Sequence, residues 1–313
     1  MPSITVVVPT IRRPALLLKC VDGILGGRFQ DFEVVIVDQS EDDRTRAAVA
    51  ERYGAEPRVR FFHSDVTGAS RARNLGASKA NGEFIVCIDD DAVPLPGWLE
   101  AYAAAFREIQ PTPGMVGGRL RLIWEAPRPA WLPTDCLALL GQYDAGEQVR
   151  KFPAGDFPMS GNFALTKAMF QRIGGFDPSL GFDRERKHPL ISGEDSYLAL
   201  QVISAGQPIY YHPGAEVGHL VTAGKLRFGY LLSRFYWHGR SFQKLRERKG
   251  GETRSWWRIW QDSKAKRQAP GSTQSSGEPP TATAVKLAAW GAFAAGVAAE
   301  KVASIGGTGR RRS

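Results

Sequence analysis

Four short runs near the start of the chain, rich in β-branched and aromatic residues, limit its fold more than any other feature. They are ITVVVP at 4–9, EVVIVD at 33–38, RVRFF at 58–62 and EFIVCID at 83–89. Three of them are too continuously apolar for a strand with one wet face, so they read as strands covered on both faces, as in a mainly parallel sheet. Helical stretches separate them. PALLLKCVDGIL opens on Pro14, which a first turn tolerates, and brings Leu17, Cys20, Val21, Ile24 and Leu25 round at roughly helical spacing. RTRAAVAERYG stops at Gly54 and SRARNLGASKANG at Gly82. The order βαβαβαβ predicts a doubly wound α/β fold.

After PGWLEAYAAAFREI the alternation loosens. MVGGRLRLIW reads as a strand, EAPRPAWLP as a connection and GEDSYLALQVISAG as a compact amphipathic helix. The expected organisation is a catalytic-type domain at 1–224, with halves 1–112 and 113–224, and a basic aromatic helical extension at 225–268. A flexible linker at 269–283, low in apolar residues and rich in Pro, Ser, Gly and Thr, and an Ala-rich amphipathic segment with a basic tail at 284–313 complete it. Cys20, Cys87 and Cys136 have neither pairwise nor metal-type spacing and read as reduced thiols of a cytosolic protein. The start, MPSITVVVPTIRRP, lacks the pattern of a signal peptide. No run reaches the ~18 apolar residues of a membrane span, 284–305 being the nearest.

The net charge of +9 is unevenly placed: residues 1–224 carry −4 and residues 225–268 carry +10. A basic extension on a mildly acidic body points to an anionic surface, lipid or nucleic acid; a solvated basic helix explains it equally.

In an open parallel sheet, ligands bind outside the carboxyl ends of the strands. The first strand delivers Pro9, Thr10, Arg12 and Arg13 there, the second Asp38, Gln39 and Ser40, and the fourth Asp89, Asp90 and Asp91. Carboxylates with arginines suit an anionic ligand held partly through Mg²⁺ or Mn²⁺. Strand alternation puts Asp89 and Asp91 on one side and Asp90 on the other. Arg71 and Arg73 start a helix whose N-terminus also favours anions, and Glu194 and Asp195 open another. His219 follows a predicted strand. Taken singly, an acidic loop, a solvated helix and a dipole-complementing acid account for these features as well.

The ordered set VVVPTIRRP, EVVIVDQS, ARNLG, GEFIVCIDDDAVPLPGWL, GNFALTKAMFQRIGGFDPSL, GEDSYLALQVISAG and AEVGH, covering about 4–219, resembles the family 2 glycosyltransferases. The resemblance implies a GT-A (Rossmann-like) α/β fold and an inverting transfer of a sugar from a nucleotide-diphosphate donor to an acceptor hydroxyl, in cell-surface polysaccharide or glycolipid synthesis. It implies that Asp38 contacts the base or ribose, with Pro9, Thr10, Arg12, Arg71, Arg73 and Asp90 on the donor side. Asp89 and Asp91 match the DxD positions that meet ribose, diphosphate and a divalent cation, and His219 a further metal contact. Asp195 matches the general base, and Gly161, Asn162 and Glu194 fall on the acceptor side. The family's DDGS is DQS here and its EDxD is EDSY, which bears on base recognition and acceptor choice.

The implied partners are a nucleotide-sugar donor and a glycan or lipid-linked acceptor. The basic extension adds an anionic membrane surface, with no nucleic acid, so the expected place is cytoplasmic and peripheral on the inner face of the membrane. Two other readings are a sugar nucleotidyltransferase, disfavoured because VPTIRRP has no glycine, and a non-enzymatic basic protein binding membrane or nucleic acid.

Overall fold

The structure is a computed structural model and describes residues 2–153, 155–159, 161–183, 190–248 and 280–308. The chain packs as two units, one of Met1–Glu125, Leu140–Lys151 and Phe157–Val221, the other of Ala126–Leu139, Phe152–Asp156 and Thr222–Ser313.

In the first unit, the four apolar runs form β1 (Ile4–Thr10), β2 (Phe32–Asp38), β3 (Val59–His63) and β4 (Phe84–Ile88). They pair in parallel in the order β3-β2-β1-β4, with α1 (Pro14–Leu25), α2 (Arg44–Tyr53) and α3 (Ala69–Ser78) as crossovers. Residues pointing alternately from these strands make two cores. Val6, Val8, Val34 and Ile36 pack with α1, α2 and α4 (Trp98–Glu108), whereas Val35 and Val37 meet Ala72 of α3. Gly76 lets α3 approach closely: a Cβ there would fall 2.3 Å from Val7 Cγ1.

Beyond β4 the sheet turns mixed. β8 (Asn162–Thr166) inserts antiparallel between β4 and β6 (Met115–Trp124); β6 runs parallel to β9 (Ile209–Val221); β5 (Ala92–Pro94) and β7 (Arg150–Lys151) pair antiparallel with β9. Helices α5 (Lys167–Arg172) and α6 (Glu194–Ser204) complete the unit.

Two features of this sheet position the site. The pairing of β1 with β4 ends at Val7, so the strands part before their carboxyl ends, where the chain order switches direction. Pro9 fits this gap. Gln39 N–H bonds to Thr10 O on the β2 side, so the alternate position, Pro9, faces away from β2, where no ladder bond needs its missing N–H. Second, the β6–β9 register slips between Gly118 and Arg119, and Asn162 closes the irregularity. Its Nδ2 donates to Arg119 O (2.9 Å) and Ala215 O (2.7 Å), and its Oδ1 accepts from Trp98 Nε1 and Tyr102 Oη, each at 2.7 Å. All four hydrogen-bonding positions of the amide are thereby used. The acceptor-side role expected of Asn162 is corrected: fully buried and saturated, it has nothing left to offer a substrate.

In the second unit, α7 (Phe228–Arg248) and α8 (Pro280–Thr308) lie side by side and run in the same direction, with Phe235 meeting Trp290 and Glu247 meeting Ser304. Their contact is close because Gly239 faces Phe293 O and Gly296 faces Tyr236 O, and an Arg240–Glu300 ion pair (2.6 Å) spans it. The expected linker lies outside the described residues up to 279, and its last positions belong to α8, which opens on Pro280. Contrary to the sequence expectation, Ala282–Ser304 is long and apolar enough to cross a membrane by length and composition, because Thr, Gly and Trp interrupt the apolar run without adding charge.

Replacing Asn162 by Leu strands two carbonyls, an indole N–H and a phenol. Loss of about 3–5 kcal/mol of stability is expected by chemical denaturation. A loss under about 1 kcal/mol would contradict the saturated amide.

Candidate active site

β4 ends at Ile88, and the three aspartates follow in a turn closed by Ala92 N–H to Asp89 O (3.0 Å) before β5 begins. Strand alternation therefore does not carry through them, and the expected pairing of Asp89 with Asp91 on one side is corrected. Asp89 turns to Arg73 (2.7 Å), while Asp90 and Asp91 share Arg13. Asp90 accepts from Thr10 Oγ1 (2.7 Å) and lies 2.6 Å from the Arg13 guanidinium, an ion contact poorly angled for a hydrogen bond. Burial pushes its carboxyl up to about 7, against the pull of Arg13. Asp91 meets Arg13 Nη1 at 3.2 Å and His219 Nε2 at 3.3 Å.

His219 reaches this rim because β5 and β9 place it opposite Ala92. Its Nδ1 is buried without a partner, close to Gly141, where a Cβ would come within 2.7 Å of that atom. Gly141 has φ +100, a conformation open to glycine.

Asp38, at the end of β2, accepts from Ser40 N–H (3.1 Å) and Ser40 Oγ–H (2.6 Å); burial raises its pKa and those bonds oppose the rise. Arg12 has φ +55, donates its backbone N–H to Ser40 Oγ and directs its side chain outward to Glu41. The cation on the aspartates is therefore its neighbour Arg13, which Pro14 at the first position of α1 holds above the end of β1. Arg71 does not face the aspartates either. Its Nη1 donates to Thr67 O (2.9 Å) and Asp183 Oδ2 (3.0 Å), and Asp183, which also accepts from Thr67 Oγ1, was not a sequence candidate. Only its place after the GGFDPSLG run marks it.

Arg73 ties the rim to α6. Buried against the Phe176 ring, it contacts Asp89 with Nη2 and Glu194 with Nη1 (3.2 Å). Burial acts to lower its pKa, but the two carboxylates outweigh that and raise it. Burial, reinforced by neighbouring Asp195, pushes Glu194 up to about 7. Asp195 is half-buried in the first turn of α6, behind Gly193 at φ +96, and accepts from Ser196 N–H (2.6 Å). Gly161 lies beside Asp89, where a Cβ would meet Oδ2 at 3.1 Å.

Among the described residues no three His, Cys, Asp or Glu side chains converge as a metal cage, so Asp89, Asp91 and His219 do not form the triad expected. Asp91 with His219 fits a different arrangement. Mg²⁺ or Mn²⁺ takes few protein ligands when substrate phosphates and water supply the others, and one carboxylate with one imidazole within 3.3 Å of each other meets that need.

The family model described as Glycosyl transferase family 2 matches residues 5–174, over half of the chain, and the chain belongs to that family; it is a glycosyltransferase. It is 25% identical over 247 residues to a glucosyl-dolichyl phosphate glucuronosyltransferase of Haloferax volcanii, covering 76% of this chain and 75% of the relative. It is 32% identical over 116 residues to a GalNAc(5)-diNAcBac-PP-undecaprenol β-1,3-glucosyltransferase of Campylobacter jejuni, covering 34% of this chain and 38% of that one. Among solved structures, a mannosyltransferase of Pyrobaculum calidifontis in complex with GDP-Man and Mn²⁺ aligns with TM-score 0.55 at 19% identity, over 99% of this chain and 80% of that one. S. aureus TarS in complex with UDP aligns with TM-score 0.54 at 17% identity, over 78% and 64%. The fold is the GT-A fold.

Asp90 binds its proton more tightly folded than unfolded, where an aspartate titrates near about 3.9. The stability it confers is full below about pH 4 and lost as pH rises through about 7. Wild type should lose stability relative to Asp90→Asn over that window, by up to about 1.4 kcal/mol per pH unit in parallel denaturant titrations. A difference that stays flat would contradict the buried placement of Asp90.

Proposed function

We propose that the protein transfers a sugar from a nucleotide-diphosphate donor to a hydroxyl of a lipid-linked glycan acceptor, with inversion at the anomeric carbon. The observation that carries this reading is the Asp89–Arg73–Glu194 bridge, which joins the acidic ends of the parallel strands to the N-terminus of α6, where Asp195 sits. The donor's base and ribose fall to Asp38, Asp89 and the parted ends of β1 and β4, lined by Pro9 and Thr10. Its diphosphate falls near Arg13 and Asp91, which together with His219 would hold Mg²⁺ or Mn²⁺. That cation, when bound, would offset the charge growing on the departing diphosphate.

Asp195 supplies the base. Its carboxylate takes the proton of the acceptor hydroxyl as the oxygen attacks the anomeric carbon from the face opposite the diphosphate, and the bond to the leaving phosphate oxygen breaks. One displacement inverts the centre, and no second carboxylate is needed as nucleophile. The names of the Haloferax and Campylobacter relatives, one dolichyl-linked and one undecaprenol-linked, support a lipid-linked acceptor. The bound GDP-Man, UDP and Mn²⁺ of the structural neighbours support the donor class and the cation.

A screen of UDP-, GDP- and dTDP-sugars with Mn²⁺ should give one metal-dependent donor. Asp195→Asn should then lower transfer by about 10³-fold or more while donor affinity stays within about threefold. Normal turnover in this variant would remove Asp195 from the chemistry.

The second unit supplies a peripheral contact with anionic lipid. α8 leaves Ala284, Leu287, Ala288, Gly291, Ala295 and Val302 exposed, Leu287 and Val302 at 70% and 71%, and α7 ends on Arg246 and Arg248. The full chain should float with vesicles containing phosphatidylglycerol, and Leu287→Asp with Val302→Asp should abolish flotation without loss of folded protein. Flotation that survives both changes would rule out α8 as the contact.

A further inference from the structure

Two unmade hydrogen bonds face each other across the bridge that joins the donor rim to α6. Arg73 Nε is a buried donor with no partner, and Glu194 Oε2 is a buried acceptor with no partner. The same two side chains already touch through Arg73 Nη1 and Glu194 Oε1, at a long 3.2 Å, while the shorter bond of the guanidinium, 2.7 Å, goes to Asp89. An unsatisfied buried donor beside an unsatisfied buried acceptor is costly, and a fork-to-fork arginine–carboxylate pair would satisfy both. What prevents it is Asp89, which draws the guanidinium away.

Asp89 is also the more accessible partner. Its side chain is 28% exposed against 3% for Glu194, so a ligand arriving at the rim meets Asp89 first. The ring of Phe176 lies against the guanidinium, its centroid 5.5 Å from Cζ, and favours movement parallel to its own face over tilting. A Cβ on Gly181, at φ +90, would sit 3.5 Å from the Glu194 carboxyl carbon, so the loop before α6 closes over the far side of that carboxyl.

We propose that Arg73 is a two-position latch and that Glu194 is its receiving carboxylate, a positioning residue that couples donor binding to the order of the general-base helix. Without donor, Arg73 is divided between Asp89 and Glu194, and α6 is held by one long bond. When the donor's ribose or the accompanying cation takes Asp89, the guanidinium passes wholly to Glu194, Nε–H bonds to Oε2, and the first turn of α6 is fixed with Asp195 in place. Donor binding thereby readies the acceptor side, and by linkage an acceptor bound at α6 tightens the donor. This inference rests on the proposed donor site at Asp89.

The test is hydrogen exchange at the amides of Ser196, Tyr197 and Leu198 in the full chain, with and without saturating UDP, GDP or dTDP plus Mn²⁺, beside calorimetric nucleotide affinity. In wild type the bound nucleotide should slow exchange there by about tenfold, within the usual range of coupling between sites. Glu194→Gln should keep nucleotide affinity within about threefold and lose this slowing. Glu194→Asp, which keeps the charge but withdraws it by one methylene, should lose most of it too, and it carries the test should the glutamine variant misfold. Slowing that persists in either folded variant overturns the latch, as does its absence in nucleotide-bound wild type. If none of the three nucleotides binds wild type, the donor site itself is wrong and the latch falls with it, an outcome the affinity measurement separates from the others.

Discussion

Arg13 and Arg73 each serve two carboxylates, and the geometry of the rim follows from that sharing. Apolar strands deliver Asp89, Asp90 and Asp91 to a place with little water, and α6 adds Glu194 beside them. A carboxylate there must find a cation or give up its charge. With one guanidinium for each pair, positive charge is short, and the two most buried acids, Asp90 and Glu194, respond with pKa values pushed up to about 7. Such a rim is unfinished electrostatically in the absence of ligand, and its most exposed members are the ones left to be completed from outside.

The backbone opens the place where this happens. β1 and β4 part after Val7, and a proline that would break a ladder elsewhere sits where the ladder has already ended. On the other side of β4, the antiparallel insertion of β8 brings Asn162 under the irregular register of β6 and β9, so one amide braces two strands and α4 at once. The rim's precision depends on this brace, since β9 carries His219 and β5 carries the chain away from the aspartates.

Much of this was legible in the sequence. The runs at 4–9, 33–38 and 83–89 declared their burial by continuous apolarity, and the helices between them by spacing and by Pro14, because both signals are local. What escaped depends on distant partners or on a single backbone angle. Nothing in NFALT announces that it will pair between β4 and β6, and an asparagine in a motif looks the same whether it meets substrate or carbonyls. The site cation was placed on Arg12, and only the φ of +55 there turns that side chain away and leaves Arg13 over the aspartates. The alternation assumed for Asp89 to Asp91 failed because a turn, not a strand, carries them. Asp183 acquires its meaning only through Thr67 and Arg71, more than a hundred residues earlier in the chain.

The late insertion of β8 has a consequence for the growing chain. β4 is a central strand in the finished sheet, but during synthesis its outer edge has no partner until everything from Asp89 to Gly161 has been made. FIVCI then presents an uncovered, uncharged row of backbone groups, the kind of edge that recruits strands from other molecules. Three acidic residues directly after it, and Glu83 directly before, flank that edge with like charge. Residues that build the rim in the native state thus also discourage intermolecular pairing while the nascent strand waits for its neighbour.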